Sequence, residues 1–189
     1  MISEFLSRGT TPGIQATEQT VGVGQQFLRF HLEPDITALL AVEQMTEVLT
    51  MASSEIVPIP HMPAWVMGVY NWRGEILWMM DLGHLVGLTP LYQQANSLSN
   101  YTAIVVHSAQ SGRQQSVSQN TGSKMLGLLV NRVEDMEWSN PDLIQSPPQS
   151  VVSPELVPFL RGYLLKPNGE MLVVLDGNSI IAGMPQSQA

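Results

Sequence analysis

PAWVMGVYNWRGEILWMMDLGHLVG, residues 63–87, holds two turn signals around an apolar run. Gly68 comes first, then Asn71-Trp72-Arg73-Gly74, then an unbroken apolar stretch from Ile76 to Met80, and Asp81 opens a short helical pattern. The run is too short to span a membrane and too continuous for a surface strand. It therefore reads as a core strand entered through a tight turn at Gly74. Arg73 sits on that turn. A turn arginine is ordinarily just solvated, but one raised on a rigid strand presents several donors in a fixed fork, which suits docking to a carboxylate or a row of carbonyls.

The same unit occurs twice. Gly74-Glu75-Ile76-Leu77-Trp78-Met79-Met80-Asp81 aligns without a gap to Gly169-Glu170-Met171-Leu172-Val173-Val174-Leu175-Asp176. Each copy follows a proline and a glycine, Pro63 and Gly68 or Pro158 and Gly162, and precedes an aliphatic pair, Leu85-Val86 or Ile180-Ile181. Farther upstream, residues 40–48 resemble residues 128–136 in the placing of apolar positions. The duplication predicts two subdomains of one plan, each a small sheet curled into a barrel by glycine-marked turns. Asp81 and Asp176 are expected to be helix N-caps rather than catalytic acids. The copies differ at the turn, which reads Asn71-Trp72-Arg73-Gly74 in one and Lys166-Pro167-Asn168-Gly169 in the other. Folding needs only what the copies share, so the unshared arginine is the better candidate for a site.

Around these units the chain is punctuated. Residues 1–25 are rich in Gly, Thr and Gln and predict a flexible tail, and residues 184–189 a second one. Phe27, Arg29 and His31 alternate with Leu28, Phe30 and Leu32, the period of a strand. Glu33-Pro34-Asp35 is a turn, Thr37 to Ala41 a second strand, Val42 to Met45 a helical turn and Glu47 to Thr50 a third strand. Pro58, Pro60 and Pro63 stiffen the approach to the central stretch. Beyond a polar connector at 89–100, Tyr101–His107 and Met125–Val130 are core strands, the Ser/Gln-rich 108–123 is a flexible loop, Met171–Leu175 a strand and Ser179–Ala182 a short helix.

Composition narrows the task. A net charge of −8 repels phosphate backbones and argues against nucleic acid as the partner. With no cysteine, disulfides, thiol catalysis and cysteine-ligated zinc are excluded. No signal peptide or membrane-spanning run is visible. His31, His61, His84 and His107 are far apart and make no ligand pair, and the chain has no HExxH, P-loop or nucleophile elbow. The GxG of Gly22 and Gly24 lacks the rest of a phosphate loop. Glu75 and Asp81 recur as Glu170 and Asp176, so they read as architecture. No metal, cofactor or catalytic residue is expected. Only 13% of residues are charged, and an exposed apolar patch would point to protein partners. Met45, Met62, Met67 and Trp65 lie in connections, and methionine suits adaptable docking surfaces.

From Gln26 to Ala182 the chain resembles the CheW-like domain family, adaptors of bacterial chemosensory arrays. Gly68-Val69-Tyr70-Asn71-Trp72-Arg73-Gly74-Glu75-Ile76-Leu77 looks like the family's G-V-x-N-hydrophobic-R-G segment and the strand after it. Gln26-Phe27-Leu28, Met45-Thr46-Glu47-Val48 and Ile59-Pro60-x-x-Pro63 support the match, while Trp78 and Asn131 depart from it. The resemblance implies a mainly β fold of two SH3-like five-stranded barrels with short helices, at about 26–90 and 101–183, with exchange of terminal strands allowed. It implies no catalysis, a cytoplasmic protein recruited to receptor arrays, and two partners: the coiled-coil tip of a chemoreceptor and the regulatory domain of a CheA-type histidine kinase. Receptor coupling is carried over to Glu47 and Arg73, paired across adjacent strands, with Met45, Gly68, Asn71 and Gly74 beside them. An adaptor of a pilus-driven or light-sensing pathway fits the same residues, and a ligand-binding barrel with a pocket between the subdomains is the alternative from another class.

Overall fold

The computed structural model describes residues 24–94, 99–108, 125–146 and 153–184. Of the tail expected over 1–25, residues 1–23 lie outside them and Gln25 already belongs to a strand; all but the first residue of the loop expected over 108–123 and of the tail expected over 184–189 lie outside them as well. In chain order the strands are β1 (Gln25–Leu32), β2 (Ile36–Ala41), β3 (Met45–Ala52), β4 (Val66–Trp72), β5 (Glu75–Asp81), β6 (Asn100–His107), β7 (Met125–Val130), β8 (Arg132–Ser139), β9 (Leu160–Leu165) and β10 (Met171–Leu175). Two short helices, α1 (Leu82–Leu85) and α2 (Gly177–Ala182), follow β5 and β10.

The strands form two five-stranded sheets of one plan. Sheet one runs β8-β1-β2-β10-β9 and sheet two β3-β6-β7-β5-β4. In each, an antiparallel hairpin (β1–β2 or β6–β7) is joined in parallel by the strand of the repeated Gly-Glu unit, β10 or β5. The last three strands of each half are thus laid on the hairpin of the other half. Both sheets curl without a continuous closing ladder, and one bridge draws the edges together in each. Val57 exchanges two hydrogen bonds with Val69 at 2.8 and 2.9 Å, and Gln145 does the same with Tyr163 at 2.8 and 2.9 Å. These are SH3-like sheets in an open-barrel form.

Alternation decides what each sheet buries. Leu28, Phe30 and Leu32 of β1 face Ile104, Val106, Leu126, Leu128 and Val130 across the largest core, which lies between the sheets and is completed by α1 and α2. Phe27, Leu39, Leu164, Leu172 and Val174 fill the inside of sheet one, and Met51, Leu77, Met79, Val105 and Leu129 that of sheet two. The central strands are apolar on both faces because both faces are covered. Asp81 and Asp176 are N-caps, accepting from His84 N–H at 3.0 Å and from Asn178 N–H at 3.2 Å. Met45 and Trp65 pack on the core between the sheets and Met67 on the core of sheet two, so these three side chains serve packing rather than an adaptable surface.

Candidate partner-docking site

β4 and β5 join through a two-residue loop, Arg73–Gly74, flanked by the Trp72–Glu75 pair. Both loop residues have positive φ, +54° and +88°, as the tight hairpin turn that follows strand twist requires. Gly74 adopts it freely, whereas an arginine there costs about 1 kcal/mol. Strain kept at a surface position points to use of the side chain. Asn71 holds the loop, its Oδ1 accepting from Gly74 N–H at 3.0 Å. The matching β9–β10 connection places its positive φ on Gly169, and no side chain is forced into that region.

Glu47 reaches the loop from β3. Its Oε1 accepts from the indole Nε1–H of Trp72 at 2.5 Å and its Oε2 from Arg73 Nη2 at 2.8 Å, while the guanidinium lies 5.1 Å from the centroid of the Trp72 ring. The carboxylate is 25% exposed and the guanidinium side chain 68%. The expected Glu47–Arg73 pair therefore forms, but the strands that carry it are not neighbours. β3 and β4 are the opposite edges of sheet two, with β6, β7 and β5 between them. Curling of the sheet brings them together, and the Val57–Val69 bridge holds them there.

The remaining sequence candidates have other places. Met45 is half-buried against the core. Gly68 is buried, with φ +139°, and a Cβ on it would stand 2.2 Å from the carbonyl oxygen of Val57. The residue type of Trp72 does not mark it as part of a site. Its ring packs on the same core as Tyr70, two residues earlier, and its N–H stays at the rim to bind Glu47. The usable signal was the rule that a part-buried indole N–H finds an acceptor. Beside the corner, Val57, Val69, Tyr70 and Ile76 line a shallow groove of about 240 Å³. Ile76 is 75% exposed, so a charged donor and an apolar step stand side by side. Among the described residues no group of His, Asp or Glu is arranged to hold a metal ion, and no helix is long and apolar enough to cross a membrane.

The model of the CheW-like domain family matches residues 26–183. A probable chemotaxis protein CheW from Rhizobium etli is 34% identical over 107 residues, 56% of this chain and 57% of that protein, so the match spans little more than half of the relative. The crystal structure of the scaffolding protein TtCheW from Thermoanaerobacter tengcongensis superimposes with a TM-score of 0.59 at 20% identity, covering 81% of this chain and 89% of that one. That likeness is one of fold.

Proposed function

This chain belongs to the CheW-like domain family, and from that premise we propose that it is a non-catalytic adaptor which couples chemoreceptors to a CheA-type histidine kinase. The observation that carries the reading is the Glu47–Trp72–Arg73 unit. A guanidinium braced from below by a carboxylate and on its side by an indole has lost most of its freedom before a partner arrives, so little ordering remains to oppose binding. Its open face suits a carboxylate or helix-end carbonyls. The adjoining Val57–Ile76 groove adds apolar contact, and an amphipathic helix of a receptor tip with an acidic residue next to an apolar one satisfies both.

Residues 26–183 are the working unit in this reading, with docking centred on Glu47 and Arg73. Gly68, Asn71 and Gly74 act through the shape of the β4–β5 edge and Met45 through the packing beneath β3. The protein works in the cytoplasm at receptor arrays. The test is co-sedimentation with receptor tips and the kinase. The Arg73→Glu variant is expected to leave the receptor-bound fraction while staying folded, and undiminished co-sedimentation would overturn the assignment.

A further inference from the structure

The inside of sheet one is apolar at one end and charged at the other. Arg29 of β1 makes an ion pair with Glu134 of β8 at 2.7 Å, a two-pronged contact with Glu170 at the start of β10, and a longer approach to Glu137 of β8 at 3.8 Å. Glu137 also pairs with Lys166, which follows β9. Glu134 further meets His31 and Arg132, each at 2.8 Å. These groups join β1, β8 and the β9–β10 hairpin, and β8 and β9 are the two edges that must meet for the sheet to close.

The duplicated plan shows that the charge is not needed for the fold. Leu40 lies opposite Leu175 and Leu128 opposite Met80, each partner standing just before a capping aspartate, which sets Leu28 equivalent to Ile104. Arg29 then corresponds to Val105. Glu137, opposite Phe27, corresponds to Leu49, opposite Ala103. In sheet two both positions belong to an apolar core. One end of the barrel plan is thus apolar in one copy and ion-paired in the other, while both copies keep an apolar centre.

We propose that this network is an ionic clasp, which adds charge to the β2 ladder and apolar packing that seat the β9–β10 hairpin, so that salt or acid loosens the hairpin against β1 and β8 while the β4–β5 hairpin stays as it is. The charged and titratable groups that face it are Arg29 and His31 from β1, Arg132, Glu134, Asp135 and Glu137 from β8, Lys166 after β9 and Glu170 before β10; β2 contributes only the hydroxyl of Thr37, 3.4 Å from His31 Nδ1. Contact with His31 holds the Glu134 carboxyl below its ordinary range despite partial desolvation, with Arg29 and Arg132 adding to the effect. A lowered carboxyl stabilises the closed form above the carboxylate range, and the effect is lost as pH falls through its folded value. The part-buried position means that salt weakens the clasp without fully screening it.

Hydrogen exchange on the full chain tests this. Going from low salt to about 1 M NaCl, where the screening length falls to ~3 Å, exchange over residues 160–172 is expected to rise roughly tenfold, as several part-exposed pairs acting together allow. Exchange over 66–77 is expected to stay within about twofold by the same reckoning. Equal responses of the two hairpins, or none in either, would overturn the proposal. A second arm uses Arg29→Val with Glu137→Leu, copying the Val105 and Leu49 pair. That variant is expected to lose the salt response at 160–172, and a response of wild-type size would show that the network is not its source. If the double variant does not fold, the wild-type salt comparison decides alone.

Discussion

Replacing Gly68 with alanine should damage this protein far more than the same change at Gly74, although both glycines have positive φ. At Gly68 the new Cβ would stand 2.2 Å from the Val57 oxygen, 2.7 Å from its carbonyl carbon and 2.9 Å from Pro58 Cα, against the 3.4 Å at which ordinary contact begins. All three atoms are backbone, and Pro58 stiffens the segment that would have to retreat. Retreat breaks the bridge between Val57 and Val69, two hydrogen bonds at 2.8 and 2.9 Å, each worth about 0.5–1.5 kcal/mol. Backbone strain at the alanine adds about 1–2 kcal/mol, for a total of about 2–5 kcal/mol out of the ~5–15 kcal/mol of a typical domain. In urea, with a slope of about 2 kcal/mol per molar, the midpoint should fall by about 1–2.5 M. At Gly74 nothing lies within 4 Å of the added atom, so only the strain remains and the loss should be about 1 kcal/mol. Equal midpoints for the two variants would refute the reasoning, since they would mean that the edge can open around a side chain at no cost.

Asp81→Asn should lose about 1–3 kcal/mol, because the buried carboxylate accepts from His84 N–H at 3.0 Å and Leu91 N–H at 2.7 Å and an amide can replace only one of these acceptors; urea unfolding reads it. Partial burial works to raise the Asp176 carboxyl, but hydrogen bonds from Ser179, Gln44 and Asn178 outweigh it and hold the group below its ordinary value of 3.8. Its stabilisation is therefore complete above that value and is lost as pH falls through the lower folded value, so Asp176→Asn should be less stable at neutral pH and show a flatter acid limb in thermal unfolding. Glu47→Ala should cost about 1–2 kcal/mol, mainly for the Trp72 bond since the Arg73 side of the pair is exposed. The Trp72 indole N–H resonance should then exchange faster with water, and an unchanged resonance would contradict the brace.

Much of this architecture is legible in residue order. The unit of Gly-Glu, five apolar-run positions and Asp is visible twice, and both aspartates do cap helices. The alternation of Phe27 to Leu32 sorts its side chains onto the faces they occupy. What residue order does not carry is the pairing of distant segments. Nothing local in β3 or β4 says that they are opposite edges of one sheet, and this led to the expectation of adjacent strands for Glu47 and Arg73. The same gap hid the ion network, whose members at positions 29, 134, 137, 166 and 170 are scattered along the chain until β8 and β9 meet. Arg73 and Trp72 both break the duplication, against Asn168 and Pro167; Arg73 stands out by its charge on a turn, whereas an indole there reads as packing until its acceptor, 25 residues away, is brought to it.

The central claim is that one braced guanidinium grips a partner protein, and titration of a chemoreceptor tip against the wild type, Arg73→Glu and Arg132→Glu tests it most directly. Arg132 is the fitting control, since its side chain is 66% exposed against 68% for Arg73 and each arginine pairs with a glutamate. Loss of binding in Arg73→Glu with near wild-type affinity in Arg132→Glu is the expected result. Equal affinities for all three proteins would contradict the claim.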